Sequence, residues 1–431
     1  MKRAALLVLA VAALAALAGC GALAPAEADD GELGVENGYR YDAELSVTPE
    51  DGLNESELQA VKSRAMARIE RVRGLEFTED VPVEVISREQ YRANATRTPN
   101  RTHQLWNNQV WEGLFLVGEG QNVSDVFDSL RGSTVAGYYS PGADRIVVVS
   151  DAETPRVRRG TLVHELVHAL QDQQFGLNES VPTQDRQLAH SGVIEGEANL
   201  LTARYEQRCG GEWSCVTIPR SGGGGVSLSN PGVFLVIYHP YASGPGFVSA
   251  VESQGGWEAV DALHGDYPAS TEQVIHPERY PDDQPVNVTV PDRSAAAWDR
   301  FDHDPVADTV GEASIYAMLV DNNVGETPPS RYSYDHPAAD GWTGDTLVPY
   351  RSDGEYGYVW ETAWANASEA REFGEAYRAL LETQGAVARG DGVWVIEDGD
   401  FADAFRVTRE GNRVRVVNAP TVADLSDIHA R

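Results

Sequence analysis

Two histidines four residues apart, His164 and His168, bracket a glutamate in the run His164-Glu165-Leu166-Val167-His168. On a helix, residues at i and i+4 share one face, so both imidazoles can bind a single cation. Glu165, beside the first histidine, is placed to reach a water on that cation without ligating it. These side chains therefore combine a pair of metal ligands with a general base. Zinc suits such a pair, and it needs a third protein ligand with the fourth position left to water. The best source is Val193-Ile194-Glu195-Gly196-Glu197-Ala198-Asn199. Ile194, Ala198, Leu201 and Tyr205 mark the buried stripe of a second helix, with Glu195 and Glu197 flanking it on opposite sides. Periodicity alone does not choose between the two carboxylates.

Positioning these residues requires two helices and a support. Val135 to Tyr139 and Arg145 to Ser150 read as strands joined by a turn at Pro141-Gly142-Ala143-Asp144. Asp151 to Pro155 carries cap and first-turn residues, which predicts a helix from there to about Gln174. The second helix should run from about Asp185 to Cys209. Upstream, Leu58, Val61, Ala65, Ile69 and Val72 fall at helical spacing, and Val81 to Ile86 alternates like a strand. Gly222 to Gly225 lacks the Lys-Ser/Thr ending of a phosphate-binding loop and reads as a linker. Helical segments surround Gly246 to His264. Beyond about Asp304 the texture changes: Thr346 to Arg351 and Tyr356 to Ala363 form a hairpin pattern, Ser368 to Thr383 a helix, and Val393 to Val417 further strands. The class is α+β, with a soft boundary near Ala296 to Asp304.

Composition narrows the setting. Thirty-four basic against sixty-six acidic residues give a net charge of −32, and Lys2 and Lys62 are the only lysines. Such a surface repels itself in dilute buffer, and salt near 1 M shortens the Debye length to about 3 Å. The balance resembles that of proteins from extreme halophiles, and it excludes nucleic acid as a partner. Lys2 and Arg3 precede an apolar run, Ala4 to Ala18, too short for a membrane span. Leu17-Ala18-Gly19-Cys20 resembles a lipoprotein processing box, with Cys20 as the lipidated first residue of the mature chain. Cys209 and Cys215 are close enough in sequence for a local bridge in an exported protein. Sequons beginning at Asn54, Asn94, Asn100, Asn122, Asn178, Asn287 and Asn366 are compatible with a glycosylated surface protein.

The run His164 to His168 followed by Glu195-Gly196-x-Ala198 resembles the gluzincin clan of zinc peptidases. That resemblance implies Glu195 as the third zinc ligand. Asn199 stands where many gluzincins place a carboxylate that orients a ligand histidine, and asparagine can accept the same bond without the charge. Gly137-Tyr138-Tyr139 followed by Arg145-Ile146-Val147-Val148 looks like the edge strand along which zincins lay an extended substrate. Pro240-Tyr241-x-x-Gly244-x-x-Phe247-Val248, Ser270-Thr271-Glu272-Gln273-x-x-His276-Pro277-Glu278-x-Tyr280 and Gly341-Trp342-x-Gly344-Asp345 resemble motifs of zincin-like proteins of bacteria and archaea. Gly34 to Arg92 looks like haloarchaeal, lipid-anchored surface members. The resemblance spans about Gly74 to Leu381.

It implies a zincin-like core with an HExxH helix and a second ligand helix, plus a C-terminal α+β region. The expected organisation is a signal peptide at 1–20, a flexible tether at 21–38, a metallopeptidase domain at 39–300, and a C-terminal region at 301–431 packed on it. The implied activity is hydrolysis of peptide bonds in a protein or peptide substrate, with Zn2+ as cofactor and Glu165 as base. The place is the outer face of the cell membrane, held through Cys20. A donor must stabilise the oxyanion, worth about 3 kcal/mol. His276, in a loop-like segment bounded by Pro268 and Pro277, is the candidate, with Tyr205 and Tyr280 as rivals. The alternative is a surface or envelope-binding lipoprotein that keeps the scaffold without catalysis. Glu165 favours the enzyme, because a pure binding module does not need it. A two-lobed solute binder would show repeated strand–helix alternation, which is not apparent.

Overall fold

The computed structural model describes residues 31–95, 100–152, 154–177, 180–218, 228–325 and 328–431. The expected signal peptide, with Cys20, and the expected linker at Gly222 to Gly225 lie outside these residues. The chain is α+β. A small hairpin, β1 (Val35–Glu36) and β2 (Tyr39–Arg40), opens the fold. It lies on α1 (Glu55–Arg73), with Val35 buried and the Gly34 N–H donating to Glu70 at 2.8 Å. The last residues assigned to the tether, 31–38, are thus docked on the protein. α1 starts at a reciprocal cap between Asn54 and Glu57 and ends at Gly74 with φ of 80°. Of its predicted stripe, Leu58, Val61, Ala65 and Ile69 are buried and Val72 is partly buried.

β3 (Val83–Ile86), α2 (Arg88–Ala95), α3 (Arg101–Gly113) and α4 (Val123–Thr134) follow, then β4 (Gly137–Ser140) and β5 (Arg145–Val149). These strands form a sheet ordered β3-β5-β4, with β4 antiparallel to β5 and at the edge. The helix with the two histidines, α5 (Arg159–Phe175), begins eight residues later than Asp151. Residues 154–158 run instead as a connection over α1's entrance. Leu53 donates its N–H to Pro155 at 3.1 Å and Val157 is buried, so tertiary contact outweighs the capping pattern.

α6 (Gln184–Arg208) runs close to the expected span, capped by Thr183. α7 (Pro231–Leu263) is longer than the sequence indicates. It runs through Pro240 and Pro245 and breaks only at Gly256, φ 68°. α8 (Thr271–Ile275) is a single turn. No helix among the described residues is long and apolar enough to cross a membrane.

The rest is built on one antiparallel sheet. β6 (Asp299–Arg300), α9 (Gly311–Asp321), β7 (Trp342–Ser352), β8 (Glu355–Trp364), α10 (Ala367–Thr383), β9 (Val387–Gly390), β10 (Val393–Val395), β11 (Ala404–Glu410), β12 (Arg413–Ala419) and α11 (Asp424–Ile428) complete the chain. The seven strands are ordered β6-β7-β8-β12-β11-β10-β9. Buried Asp345 receives the N–H groups of Val310 and Gly311 at α9's start and the indole N–H of Trp342, at about 3 Å each. Part of this region packs on itself, with Val348, Tyr350, Val359, Val417 and Ile428 in one cluster, but the larger part of its core is shared. Trp106, Val110, Leu114 and Phe115 from around α3 and Val233 and Val236 from α7 share one apolar cluster with Leu347, Trp360, Tyr377 and Phe405.

Candidate metal centre

α5 and α6 cross so that His164, His168 and Glu195 present one donor atom each to a common point. The His164 and His168 Nε2 atoms are 3.0 Å apart, and Glu195 Oε2 lies 3.1 and 3.3 Å from them. Zinc bonds of about 2.0–2.1 Å at tetrahedral angles put neighbouring ligand atoms roughly 3.3 Å apart. The three atoms therefore fit three corners of a zinc tetrahedron. The electrostatics agree. Burial opposes charge on His168, yet Glu195 and Glu165 outweigh it and push the imidazole up to about 9. Burial also opposes charge on Glu195, but His168 and His164 hold its carboxyl well below the usual range. The cluster draws positive charge to itself.

Glu165 stands beside this triangle and reaches the edge strand. Its Oε2 accepts the Tyr139 N–H at 2.8 Å. The register of β4 on β5, with the Val149 N–H donating to Ala136, turns the backbone groups of Gly137 and Tyr139 to the open side. Two adjoining cavities, of about 540 and 350 Å³, open here and are walled by β4, α5, α6 and α7. His164, Glu165, Gly137 and Tyr241 line both.

Behind the triangle lies a chain of buried polar contacts. His168 Nδ1 meets Gln171 Oε1 at 2.9 Å, which fixes Nε2 as the inward donor. Gln171 in turn donates to the Ile194 carbonyl at 3.0 Å and to Glu197 at 2.8 Å. Glu197 is fully engaged: Arg73 pairs with it at 2.5 Å and His264 at 2.9 Å. Glu195 alone of the two glutamates faces the histidines. Gln171, one turn after His168, was missed by the sequence reading; its i+3 position on the ligand face is the signal that could have found it.

The fit of α6 to α7 explains the glycine after Glu195. A Cβ on Gly196 would meet the Gly244 carbonyl carbon at 2.5 Å, and one on Gly244 would overlap the Gly192 carbonyl oxygen. Only glycines allow this approach. It seats Tyr241 over the site: its hydroxyl donates to Glu195 Oε1 at 2.8 Å, and its ring stacks on His164 with centroids 6.2 Å apart. The sequence contained Tyr241 within a motif but assigned it no role.

His276 does not line these cavities. It ends α8, and its Nε2 lies 3.0 Å from Glu312 Oε1 on α9. Asp340 completes that group, but Arg279 already supplies the positive charge there, bonding Glu272 at 2.6 Å and Asp340 at 2.7 Å. The rivals are also elsewhere: Tyr205 is buried against Arg68, and the Tyr280 hydroxyl donates to the Asp266 carbonyl at 3.1 Å. Asn199 donates to the Tyr241 carbonyl at 3.4 Å, so Gln171 takes the histidine-orienting role expected of it. Cys209 and Cys215 form a disulfide beside the end of α6.

Residues 299–429 match the model of a domain of unknown function, DUF8575. No curated protein and no solved structure matches the chain.

Proposed function

We propose that the protein is a zinc-dependent peptidase with a zincin-like core, acting on peptide segments laid along β4. The observation that carries this reading is the donor triangle of His164, His168 and Glu195, with Glu165 held beside it but outside it. A site that only bound metal would have no use for a carboxylate so placed. When bound, zinc supplies Lewis acidity toward a carbonyl and lowers the pKa of water to about 7. Glu165 then serves as proton acceptor, its orientation fixed by Tyr139. The open backbone groups of Gly137 pair with an extended substrate, in the manner of strand addition. Tyr241 replaces His276 as the donor to the developing oxyanion, because its hydroxyl already stands at the ligand cluster. Lipid anchoring through Cys20 and action at the outer membrane face belong to the same proposal, and they rest on the leader's pattern.

The test is zinc content and cleavage measured side by side. The wild-type chain should hold about one zinc and cleave an unfolded protein substrate in concentrated salt. Glu165→Gln should retain the metal and lose cleavage. A variant that cleaves as fast as wild type would end the mechanism. A metal-loaded wild type inert toward a broad peptide library would shift the reading to a non-catalytic envelope-binding lipoprotein.

A further inference from the structure

A third cavity, of about 350 Å³, lies between the last turn of α3 and the seven-stranded sheet. Glu112 from α3, Glu119 from the following loop and Asp403 before β11 bring one carboxylate oxygen each to within 4.8 Å of one another. Glu355, at the start of β8, also lines it, and no Arg or Lys does. Glu112 and Asp403 are buried, so their mutual repulsion is poorly screened. Burial and the neighbouring carboxylates push Glu112 well up, and burial pushes Asp403 up to about 7.

An independent feature points to what the cavity takes. Gln109, 5% exposed and part of the lining, donates its amide to Glu112 at 2.6 Å, while its Oε1 has no partner among the described residues. Asn418, fully buried, repeats the pattern: its amide donates to Asp403 at 2.7 Å and its Oδ1 has no partner among the described residues. Each amide thus fixes a carboxylate and leaves a buried acceptor unsatisfied, an arrangement that is costly unless something positive completes it. The negative end of α3's dipole adds to the same field.

We infer that this cavity is a binding site for a divalent cation of the calcium type, coordinated by Glu112, Glu119 and Asp403, that ties α3 to the C-terminal sheet. The donors are all oxygen, which selects a hard cation over zinc. Three carboxylates with a buried amide oxygen beside them form an irregular all-oxygen set supplied by the protein itself, which suits calcium with its about six to eight flexible oxygen ligands better than magnesium, which keeps several waters in a strict octahedron. Gln109 lies close enough to contribute its free oxygen or to hold a coordinated water.

The full-length chain, loaded with zinc and freed of calcium by a calcium-selective chelator, provides the test in concentrated NaCl, which suppresses loose binding to the acidic surface. Calorimetric titration with CaCl2 should give one site per chain, and the melting temperature should rise with calcium. Glu119→Gln, at an exposed ligand, should weaken binding by about tenfold or more, equivalent to 1.4 kcal/mol or more. Asp403→Asn should melt above the wild type when both lack calcium, because repulsion is relieved, and should no longer respond to calcium. The inference is overturned if wild type shows no calcium-dependent rise, which would mean the carboxylates share protons instead. It is equally overturned if both variants respond as wild type does, or if magnesium stabilises as well as calcium.

Discussion

Glu197→Gln is expected to cost the metal-free protein about 3 kcal/mol at neutral pH, while Glu195→Gln costs most of the zinc affinity. Glu197 is 1% exposed. Burial raises its pKa, yet His264 and Arg73 overcome that and bring it from 4.5 down to about 2. A drop of that size corresponds to roughly 3 kcal/mol, in line with the cost of breaking a buried ion pair. Glutamine would leave Arg73 with Asp261 alone, at the edge of solvent. The sign follows from the depressed pKa: the contribution is complete above about 4.5 and disappears as pH falls through about 2. The wild-type–variant difference should therefore narrow over that interval. The assay is guanidinium unfolding of chelator-treated protein across pH, with zinc affinity measured by competition with a chromophoric chelator. Glu195→Gln removes a direct ligand, so its affinity should fall beyond the roughly 10–100-fold expected when an outer partner is lost. Glu197→Gln, acting through Gln171, should stay within that range. A Glu197 variant of wild-type stability that binds no zinc, or a Glu195 variant that binds zinc normally, would refute the assignment.

Gln171→Ala should lower zinc affinity by about 10–100-fold, because His168 loses the contact that orients it; unchanged affinity in the same competition assay would count against that role. Tyr241→Phe should lower kcat by about 100-fold or more with KM and zinc content little changed, as steady-state peptide hydrolysis would show. Gly196→Ala should destabilise by about 1–3 kcal/mol through overpacking at α7, read in a thermal melt. Paired Cys209→Ser and Cys215→Ser should cost about 2 kcal/mol, the chain-entropy value for so short a loop. Burial raises Asp185 to about 7, with the Thr271 hydrogen bonds opposing. Its contribution is complete below about 3.8 and lost as pH rises through about 7, so Asp185→Asn should flatten the stability profile across that interval.

The convergence of His164 and His168 was legible because two residues on one helix carry their geometry in their spacing. So was α6, whose buried stripe and caps agree. The choice between Glu195 and Glu197 was not legible, because it depends on Arg73 and His264, which reach Glu197 from α1 and α7. Gln171 shares a helix face with His168, but its contacts to Ile194 and Glu197 on α6 leave no local sign. α7 defied its two prolines because the glycine crossing with α6 and a buried apolar face compensate for the lost backbone bonds. His276 looked loop-borne and free. Its partner Glu312 lies 36 positions away, and nothing near His276 announces that contact.

The aromatic seam under β7 and β8 bears on how this chain can be divided. Phe115 from the end of α3 packs on Phe401, Phe405 and Tyr377 with ring centroids 4.8, 5.5 and 6.0 Å away. Gly113 is so close to the hairpin that a Cβ there would meet Leu347 at 2.7 Å. A fragment cut at residue 299 would bare that seam to water on both pieces. The segment matching the family model is therefore not self-sufficient here: excised alone it should aggregate, and it should regain solubility when α3 and α4 are supplied, covalently or as a second polypeptide.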